Sequence, residues 1–346
     1  MFAKGFKIVD KKRFEIYVEN IECGEDEAIV KIETAAICKA DLRYYLGLRD
    51  ERILGLKYPI NLLHEAVGVI LKNPTGKFKI GDKVTLCPNI VDEETKEKYP
   101  ICKSKELGEN YCPKAKFASS SIDGFSKNYI VFPVKNLIKI PSSVPNNISV
   151  FSEMTSVAHA AIRRVKLNED DRIAIWGDGI LGYILYSVLL ERDYKNLIIV
   201  GHNKDKLLQF KEGKTYTADE IDISKENIDV AFECVGGKSS ENAINQIIDK
   251  INIGGKIILT GVSECKIAIN TRKILEKGLS LYGVTRSNVE DFKNAVELLE
   301  SVTFKEKIQK LILSENSINN IVDYYEVFEK ESQNKELGKN IMNFNF

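Results

Sequence analysis

Short apolar runs separated by turn-forming residues make up the first 145 residues of the chain. Runs such as EAIVKIETAAI, AVGVILKNPTG and GDKVTLCP are rich in valine and isoleucine, and glycine, proline and asparagine punctuate them at irregular intervals. β-branched runs bounded by turn signals are typical of strands. The pattern therefore predicts a compact, largely antiparallel β-rich region.

After PSSVPNN the pattern changes to buried strands that alternate with helices. The strand-like runs RIAIWGDG and NLIIVG are each followed by a helical stretch, ILGYILYSVLLERD and NKDKLLQF. IDVAFECVGG, ENAINQIIDKI, GGKIILTGV and GLSLYGV continue the alternation. Strands that are apolar throughout and separated by helices indicate a doubly wound parallel sheet. From about Asn288 the chain leaves this pattern, with an amphipathic helix at EDFKNAVELLESV and a closing strand at GKNIMNF.

Composition narrows the class of protein. The chain has 346 residues, 44% apolar and 29% charged, which suits a folded protein with two domain cores. Fifty basic and fifty acidic residues cancel, so no net field favours nucleic acid or an anionic membrane. The N-terminal residues lack the apolar core of a signal sequence, and no apolar run reaches the length of about 18 residues that spans a bilayer. We therefore expect a cytoplasmic protein whose seven scattered cysteines pack or bind metal and do not form a disulfide framework.

A glycine fingerprint opens the second half. Gly177, Gly179 and Gly182 form GxGxxG directly after a predicted strand and at the start of a helix. These glycines allow a tight turn and the close approach of a pyrophosphate to the helix N-terminus. The fingerprint predicts a dinucleotide site, with a ligand-free glycine turn as the alternative.

The end of the next strand bears on which dinucleotide binds. An NAD site usually has an acid there, about 20 residues on, for the ribose 2′-hydroxyl. This chain has Gly201 at that place and no carboxylate before Asp205, and His202, Asn203 and Lys204 are suited to a 2′-phosphate. We therefore predict NADP, although the three polar residues are also ordinary for a loop.

One apolar run, LLHEAVGVI, contains His64 and Glu65, and the chain has only three histidines. Cys38 lies 26 residues earlier, and Glu153 precedes the dinucleotide domain. A thiolate, an imidazole and a carboxylate are a suitable ligand set for a catalytic zinc. Asp41 is then predicted to support a ligand, and Glu65 to approach the metal. Each residue also has a structural reading: Cys38 and His64 as core residues, and Glu153 as an acid at a helix start.

The order C-x-x-D, H-E-x-x-G and GxGxxG resembles the zinc-containing medium-chain alcohol and polyol dehydrogenases. Within them the chain is similar to the ribulose-5-phosphate reductases, through CKADLRYYLGLRDERIL, LLHEAVG, SEMTSVAHAAIRR, IWGDGILGY and AFECVGG. The resemblance implies a GroES-like catalytic domain over 1–145, a Rossmann NADP-binding domain over 146–287 and a C-terminal return to the catalytic domain over 288–346. By position, it also implies the zinc ligands Cys38, His64, Glu65 and Glu153, with Cys38, His64, Glu65 and Asp41 as the catalytic set.

The same resemblance implies an activity. Its members reduce D-ribulose 5-phosphate to D-ribitol 5-phosphate with zinc and NADPH, which supplies CDP-ribitol for teichoic acid or capsule polymers. It implies a homodimer formed through the apolar strand GLSLYGV, or a complex with a ribitol-5-phosphate cytidylyltransferase. Two other classes stay open, a zinc dehydrogenase for unphosphorylated polyols or alcohols and a zinc-free or non-catalytic NADP-binding protein.

The sequence departs from the wider family at two places. Many members bind a second, structural zinc through four cysteines, whereas this chain offers Cys87, Cys102 and Cys112. We expect no zinc there, with a three-cysteine site completed by a carboxylate as the alternative. Ala40 replaces the Ser or Thr that often relays the proton, which leaves Glu65 or a water relay as candidates.

A local excess of cations lies between two predicted zinc ligands, in DLRYYLGLRDERILGLKYP. Arginine binds phosphate through paired donors, and tyrosine hydroxyls add neutral hydrogen bonds. The segment predicts a substrate-phosphate site at Arg49 and Tyr45 first, then at Arg43 and Lys57. A solvated basic loop is the alternative.

Overall fold

Strands dominate the first part of the chain, as its short apolar runs predict. The structure is a computed structural model that describes residues 1–219 and 226–346. The strands of this part are β1 (Phe2–Asp10), β2 (Arg13–Asn20), β3 (Glu27–Ala36), β4 (Ile60–Asn61), β5 (Glu65–Lys72), β6 (Lys83–Leu86), β7 (Asn89–Ile90), β8 (Lys116–Phe117), β9 (Tyr129–Pro133) and β10 (Leu137–Lys139). The helices are α1 (Lys39–Tyr45), α2 (Glu51–Lys57), α3 (Glu93–Lys98), α4 (Asn146–Ser149) and α5 (Ser152–Arg163), with 3-10 turns at Pro100–Lys103, Gly108–Tyr111 and Val134–Asn136.

The second part alternates strand and helix, as predicted. Its elements are β11 (Ile173–Trp176), α6 (Ile180–Glu191), β12 (Leu197–Gly201), α7 (Lys204–Leu207), β13 (Lys214–Thr217), β14 (Val230–Glu233), α8 (Ser240–Lys250), β15 (Lys256–Leu259), α9 (Thr271–Lys277) and β16 (Ser280–Gly283). The chain then ends with α10 (Val289–Leu298), α11 (Val302–Gln309), β17 (Ile312–Ile318), α12 (Ile321–Ser332) and β18 (Lys339–Phe344).

The described residues pack as two compact units, one of residues 1–156 with 287–346 and one of residues 157–286. In the first unit, a seven-stranded sheet has the order β10-β6-β5-β3-β18-β17, with β9 also paired to β3. The C-terminal strands therefore belong to the same sheet as the N-terminal ones. The predicted boundaries at 145 and 287 stay predictions.

The second unit is built on a six-stranded parallel sheet of order β13-β12-β11-β14-β15-β16. Its central strands are buried along their whole length, which explains their continuous apolar sequence. The predicted helix after β12 is shorter than its apolar pattern suggests, since α7 has only four residues.

Strand pairing brings distant residues together at one end of the first sheet. β3 runs antiparallel to both β5 and β18, and Ala36 pairs with Glu65 on one side and with Ile341 on the other. Because the strands are antiparallel, Cys38 just beyond β3 lies beside the residues that begin β5 and β18. The end of β3 and the starts of β5 and β18 thus lie side by side at one end of the sheet.

The cysteine pattern differs from the expectation in one respect. Cys102 and Cys112, which we expect not to bind zinc, form a disulfide with each other. Cys87 is a separate buried thiol. No metal-ligand cluster includes these three cysteines among the described residues, so the three-cysteine alternative has no support. Within the described ranges, no helix is long and apolar enough to cross a bilayer.

One glycine fixes the segment that leads to His64. A Cβ on Gly124 would lie 2.3 Å from the carbonyl oxygen of Leu63 and 2.4 Å from that of Leu62. We expect Gly124→Ala to lower the free energy of unfolding by about 2–3 kcal/mol, because backbone atoms cannot move aside easily. Urea unfolding measures the change.

Gly55 in α2 is the matched control for this prediction. An added Cβ there meets nothing within 4 Å. Gly55→Ala should therefore stabilise the protein by about 0.5–1 kcal/mol through helix propensity. Equal unfolding free energies for the two variants would contradict the close approach at Gly124.

Candidate active site

Three of the predicted metal ligands lie together in the first unit. The sulfur of Cys38, a ring nitrogen of His64 and a carboxylate oxygen of Glu65 are all within 4.8 Å of one another. His64 and Glu65 are buried, and Cys38 is half-buried at the N-cap of α1. A soft thiol, an imidazole and a carboxylate at this spacing could hold one metal ion.

Asp41 fixes the geometry of this cluster. It is fully buried, and its side chain accepts hydrogen bonds from the backbone N–H of Cys38 and of Leu63, each at 3.0 Å. Burial would raise the pKa of Asp41, but the charge of His64 and the hydrogen bonds outweigh it and the pKa is lowered. Asp41 thus ties the start of α1 to the backbone just before His64, which agrees with its predicted supporting role.

His64 has two polar neighbours at Nδ1. Nδ1 shares a hydrogen bond of 2.8 Å with the hydroxyl of Ser119, and Asp41 Oδ1 lies 3.6 Å away. At 3.6 Å Asp41 acts through its charge and not through a hydrogen bond. Burial alone would lower the pKa of His64, but the charges of Asp41 and Cys38 raise it well above its ordinary value. Orientation through Nδ1 leaves Nε2 to face a metal.

A lysine that the sequence analysis did not single out completes the cluster. Lys339, at the start of β18, donates to both oxygens of Glu65 at 2.5 Å and to the carbonyl of Ile37 at 3.3 Å. Burial disfavours the charged form of Lys339, but Glu65 and Cys38 outweigh it and raise its pKa. Glu65 is therefore held as the partner of a buried cation.

Glu153 lies in the first turn of α5, and it is buried. It is not a member of the three-residue cluster among the described residues. Burial raises the pKa of Glu153 to about 7, with the charges of Glu65 and Asp41 acting in the same direction and those of His64 and Lys339 opposing it. Glu153 therefore interacts electrostatically with the residues of the cluster.

The glycine fingerprint of the second unit has the expected geometry. Gly177 has a φ of 130°, in the region that favours glycine, and Gly179 is the N-cap of the twelve-residue helix α6. A Cβ on Gly182 would lie 2.0 Å from the carbonyl oxygen of Gly177. The loop between β11 and α6 therefore has backbone without side chains at Gly177 and Gly179, which a pyrophosphate can approach.

The strand end after β12 differs from the sequence-based expectation. His202 is exposed, and the Asn203 side chain caps α7 by accepting from the N–H of Lys206 at 3.1 Å. Lys204 begins α7 and is exposed. The sequence itself has no carboxylate at this strand end before Asp205, but Asp178 reaches this place from the glycine fingerprint and accepts from the N–H groups of His202 and Asn203.

The cationic segment is split between the core and the surface. Arg49 is half-buried, and its guanidinium lies 4.4 Å from the centre of the Tyr44 ring. Arg43 in α1 and Lys57 at the end of α2 are also half-buried. These three side chains stay candidates for a phosphate site.

Tyr45 belongs to the core instead. Its ring stacks on Phe14, and its hydroxyl donates to Glu329 at 2.7 Å. Tyr45 is only 1% exposed. The sequence does not show that this position lies on the buried face of α1, which carries Tyr44 and Tyr45. A hydroxyl engaged in this core contact does not fit the predicted role of Tyr45 as a phosphate ligand.

Comparisons with known proteins agree with this geometry. A model of the alcohol dehydrogenase GroES-like domain matches residues 24–142, and a zinc-binding dehydrogenase model matches residues 205–301. Ribulose-5-phosphate reductase 1 of Staphylococcus aureus is 35% identical over 343 residues, 96% of each chain. The ribulose-5-phosphate reductase of Bacillus spizizenii is 34% identical over 305 residues, 86% of each chain. This chain belongs to the ribulose-5-phosphate reductase family of zinc-binding dehydrogenases.

A solved structure supports the same membership. The crystal structure of S. aureus TarJ in complex with NADPH has a TM-score of 0.85 and 31% identity, and the match covers 100% of both chains. The predicted fold class, a GroES-like domain with a Rossmann-type domain, is confirmed, and so is the assignment of the chain as an oxidoreductase.

The buried Glu153 makes the stability of the metal-free protein depend on pH. Its pKa is about 7 in the fold against an ordinary value of 4.5, so between these values the folded protein keeps a proton that the unfolded chain has lost. The free energy of unfolding therefore falls as the pH rises from 4.5 to about 7. Glu153→Gln should raise the free energy of unfolding of chelator-treated protein by about 2–3 kcal/mol at pH 8 and by less than about 1 kcal/mol at pH 5.

Urea unfolding at the two pH values measures this difference. Glu94→Gln, which removes an exposed carboxylate in α3, is the control and should change the free energy of unfolding equally at the two pH values. A Glu153→Gln effect that does not grow between pH 5 and pH 8 would show that Glu153 is not held in a costly charged state.

Proposed function

We propose that this chain reduces D-ribulose 5-phosphate to D-ribitol 5-phosphate with NADPH at a zinc centre. The observation that carries the proposal is the buried cluster of Cys38, His64 and Glu65 in a chain related over nearly its full length to ribulose-5-phosphate reductases. The TarJ structure in complex with NADPH supports the choice of cofactor.

The charges around the cluster fit a divalent cation. Three carboxylates, those of Asp41, Glu65 and Glu153, are buried there with one lysine. Burial and the charges of Glu65 and Asp41 raise the pKa of Glu153, and the charges of Asp41 and Cys38 raise the pKa of His64 against the effect of burial. Buried charge of one sign is costly unless it is balanced, and zinc would balance it.

We propose the zinc ligands from the donor types of the buried residues and from the contact of Glu65 with Lys339. Cys38, His64 and Glu153 would hold the ion, with Glu65 adjacent, because both oxygens of Glu65 already accept from Lys339. A bound zinc supplies a Lewis acid that polarises the ketone oxygen of the substrate. Asp41 and Ser119 keep the His64 ring in place, so that the metal is held without reorganisation.

The dinucleotide would bind at the loop between β11 and α6. The loop offers the close backbone approach that Gly177 and Gly182 allow, and the N-terminus of α6 favours the negative pyrophosphate. NADPH supplies the hydride, and the protein supplies binding and orientation.

Arg49 is the leading candidate for the substrate phosphate. Its guanidinium is held against the Tyr44 ring, which limits the freedom that phosphate binding would have to remove. Arg43 lies five residues beyond Cys38 on α1, which is roughly 7–8 Å along the helix axis. Lys57 is a weaker candidate because an ammonium offers no paired donors.

The product oxygen must take up a proton, and the methyl side chain of Ala40 cannot donate one. Glu65 is a poor source, because Lys339 engages both of its oxygens. We therefore favour a relay through water over Glu65 as the direct donor.

We also propose the wider setting that the resemblance implies. The product would supply CDP-ribitol for teichoic acid or capsule polymers in the cytoplasm, beside a ribitol-5-phosphate cytidylyltransferase. A homodimer stays a prediction, and it is supported by β16 at the edge of its sheet, where one side of the strand has no strand partner among the described residues.

The test is NADPH oxidation with ribulose 5-phosphate and with free ribulose. We expect turnover of the phosphate and little turnover of ribulose. Arg49→Ala should raise the KM for ribulose 5-phosphate by about 10- to 100-fold, because charged hydrogen bonds to phosphate contribute about 1.5–3 kcal/mol. The KM for NADPH should change little.

Arg13→Ala is the control, since Arg13 is an exposed residue of β2 that pairs with Glu15. It should leave both KM values unchanged. Equal turnover of ribulose and its phosphate would contradict the proposed substrate and favour a dehydrogenase for unphosphorylated polyols. Loss of NADPH and substrate affinity together in Arg49→Ala would contradict the proposed phosphate site alone.

A further inference from the structure

A carboxylate from the glycine fingerprint reaches the end of the neighbouring strand. Asp178, between Gly177 and Gly179, accepts at one oxygen, Oδ2, from the backbone N–H of His202 at 2.8 Å and of Asn203 at 2.7 Å. Two hydrogen bonds to one oxygen fix the side chain against the turn that follows β12. The other oxygen, Oδ1, takes no part in these two bonds.

The carboxylate fills the space that a side chain at position 201 would occupy. A Cβ on Gly201 would lie 2.6 Å from both Cβ and Oδ2 of Asp178. Gly201 is buried, and any larger residue there would collide with Asp178. The glycine is therefore required by the close approach of Asp178, whichever dinucleotide binds.

This strand end is where dinucleotide-binding sheets recognise the adenosine ribose. An acid there accepts from the ribose hydroxyls and repels a 2′-phosphate. In most such sites the acid belongs to the second strand itself. Here the acid is Asp178, which belongs to the glycine fingerprint after β11 and reaches the same place.

We propose that Asp178 is a specificity-determining residue for the dinucleotide and that it weakens the preference for NADPH over NADH. Its charge opposes a 2′-phosphate, and it occupies two backbone donors that a phosphate would otherwise use. This inference deepens the proposed function and rests on its assignment of the dinucleotide site.

Other charges at this strand end modify the effect and do not remove it. Lys204 offers positive charge, while Asp205 is exposed nearby in α7 and Asp219 lies 3.8 Å from Nδ1 of His202. Asp178 differs from these two exposed acids because its position is fixed by backbone donors. A fixed, half-buried carboxylate is screened less than a mobile one on the surface.

The test is the binding of NADPH and NADH to the wild type and to Asp178→Asn, measured by calorimetry or fluorescence without substrate. Asparagine keeps an oxygen that can accept from both backbone N–H groups and removes the charge. We expect the Kd for NADPH to fall by about three- to tenfold, while NADH binding is unchanged or weaker.

Asp205→Asn is the matched control, and it should change the Kd for NADPH by less than about twofold. Equal changes in NADPH and NADH binding by Asp178→Asn would show a structural role only and would overturn the inference. Unchanged or weaker NADPH binding, or an equal gain from Asp205→Asn, would overturn it too.

The outcomes separate this inference from the proposed function. A wild type that reduces ribulose 5-phosphate with NADPH, together with an Asp178→Asn variant that shows no shift, overturns the inference alone. A wild type that accepts only NADH, together with an Asp178→Asn variant that gains NADPH binding, supports the inference and overturns the proposed cofactor.

Discussion

The buried ion pair between Lys339 and Glu65 is the interaction on which the site depends. It places the charge of Lys339 in a cluster with three buried carboxylates, those of Asp41, Glu65 and Glu153. A lone buried lysine or carboxylate would be costly, and removing either partner would leave the other unpaired. The pair balances part of the negative charge. Burial, together with the charges of Glu65 and Asp41, raises the pKa of Glu153, and the charges of Asp41 and Cys38 raise the pKa of His64 against the effect of burial. A buried group of carboxylates of this kind favours a bound cation.

The pair also explains why the C-terminal segment returns to the N-terminal sheet. β18 pairs with β3, and this pairing delivers Lys339 to the row that holds Cys38 and Glu65. Asp41 links the start of α1 to the residue before His64 in the same way. Cys38, His64 and Glu65 are thus placed by backbone pairing or by a buried hydrogen bond, which gives a metal site its rigidity.

The sequence predicts those features of the site that depend on a local motif. His64 and Glu65 are evident as polar residues in an apolar run, and GxGxxG carries its own geometric requirement. Lys339, Ser119 and Asp178 could not be assigned in this way, because strand pairing and chain packing bring them to their sites across many residues. The lone lysine that opens the apolar strand KNIMNF was the available signal for Lys339. Composition alone could not separate Tyr45 from the half-buried cations around it, because its burial depends on which face of α1 meets the core.

The cluster should be a zinc centre with a single sulfur ligand. Metal analysis combined with X-ray absorption at the zinc edge tests this directly on the purified chain. We expect one zinc per chain, with one sulfur at about 2.3 Å and nitrogen or oxygen ligands at about 2.0–2.2 Å. The sulfur signal should disappear in Cys38→Ser. A chain without stoichiometric zinc, or a zinc surrounded by several sulfurs, would contradict this assignment.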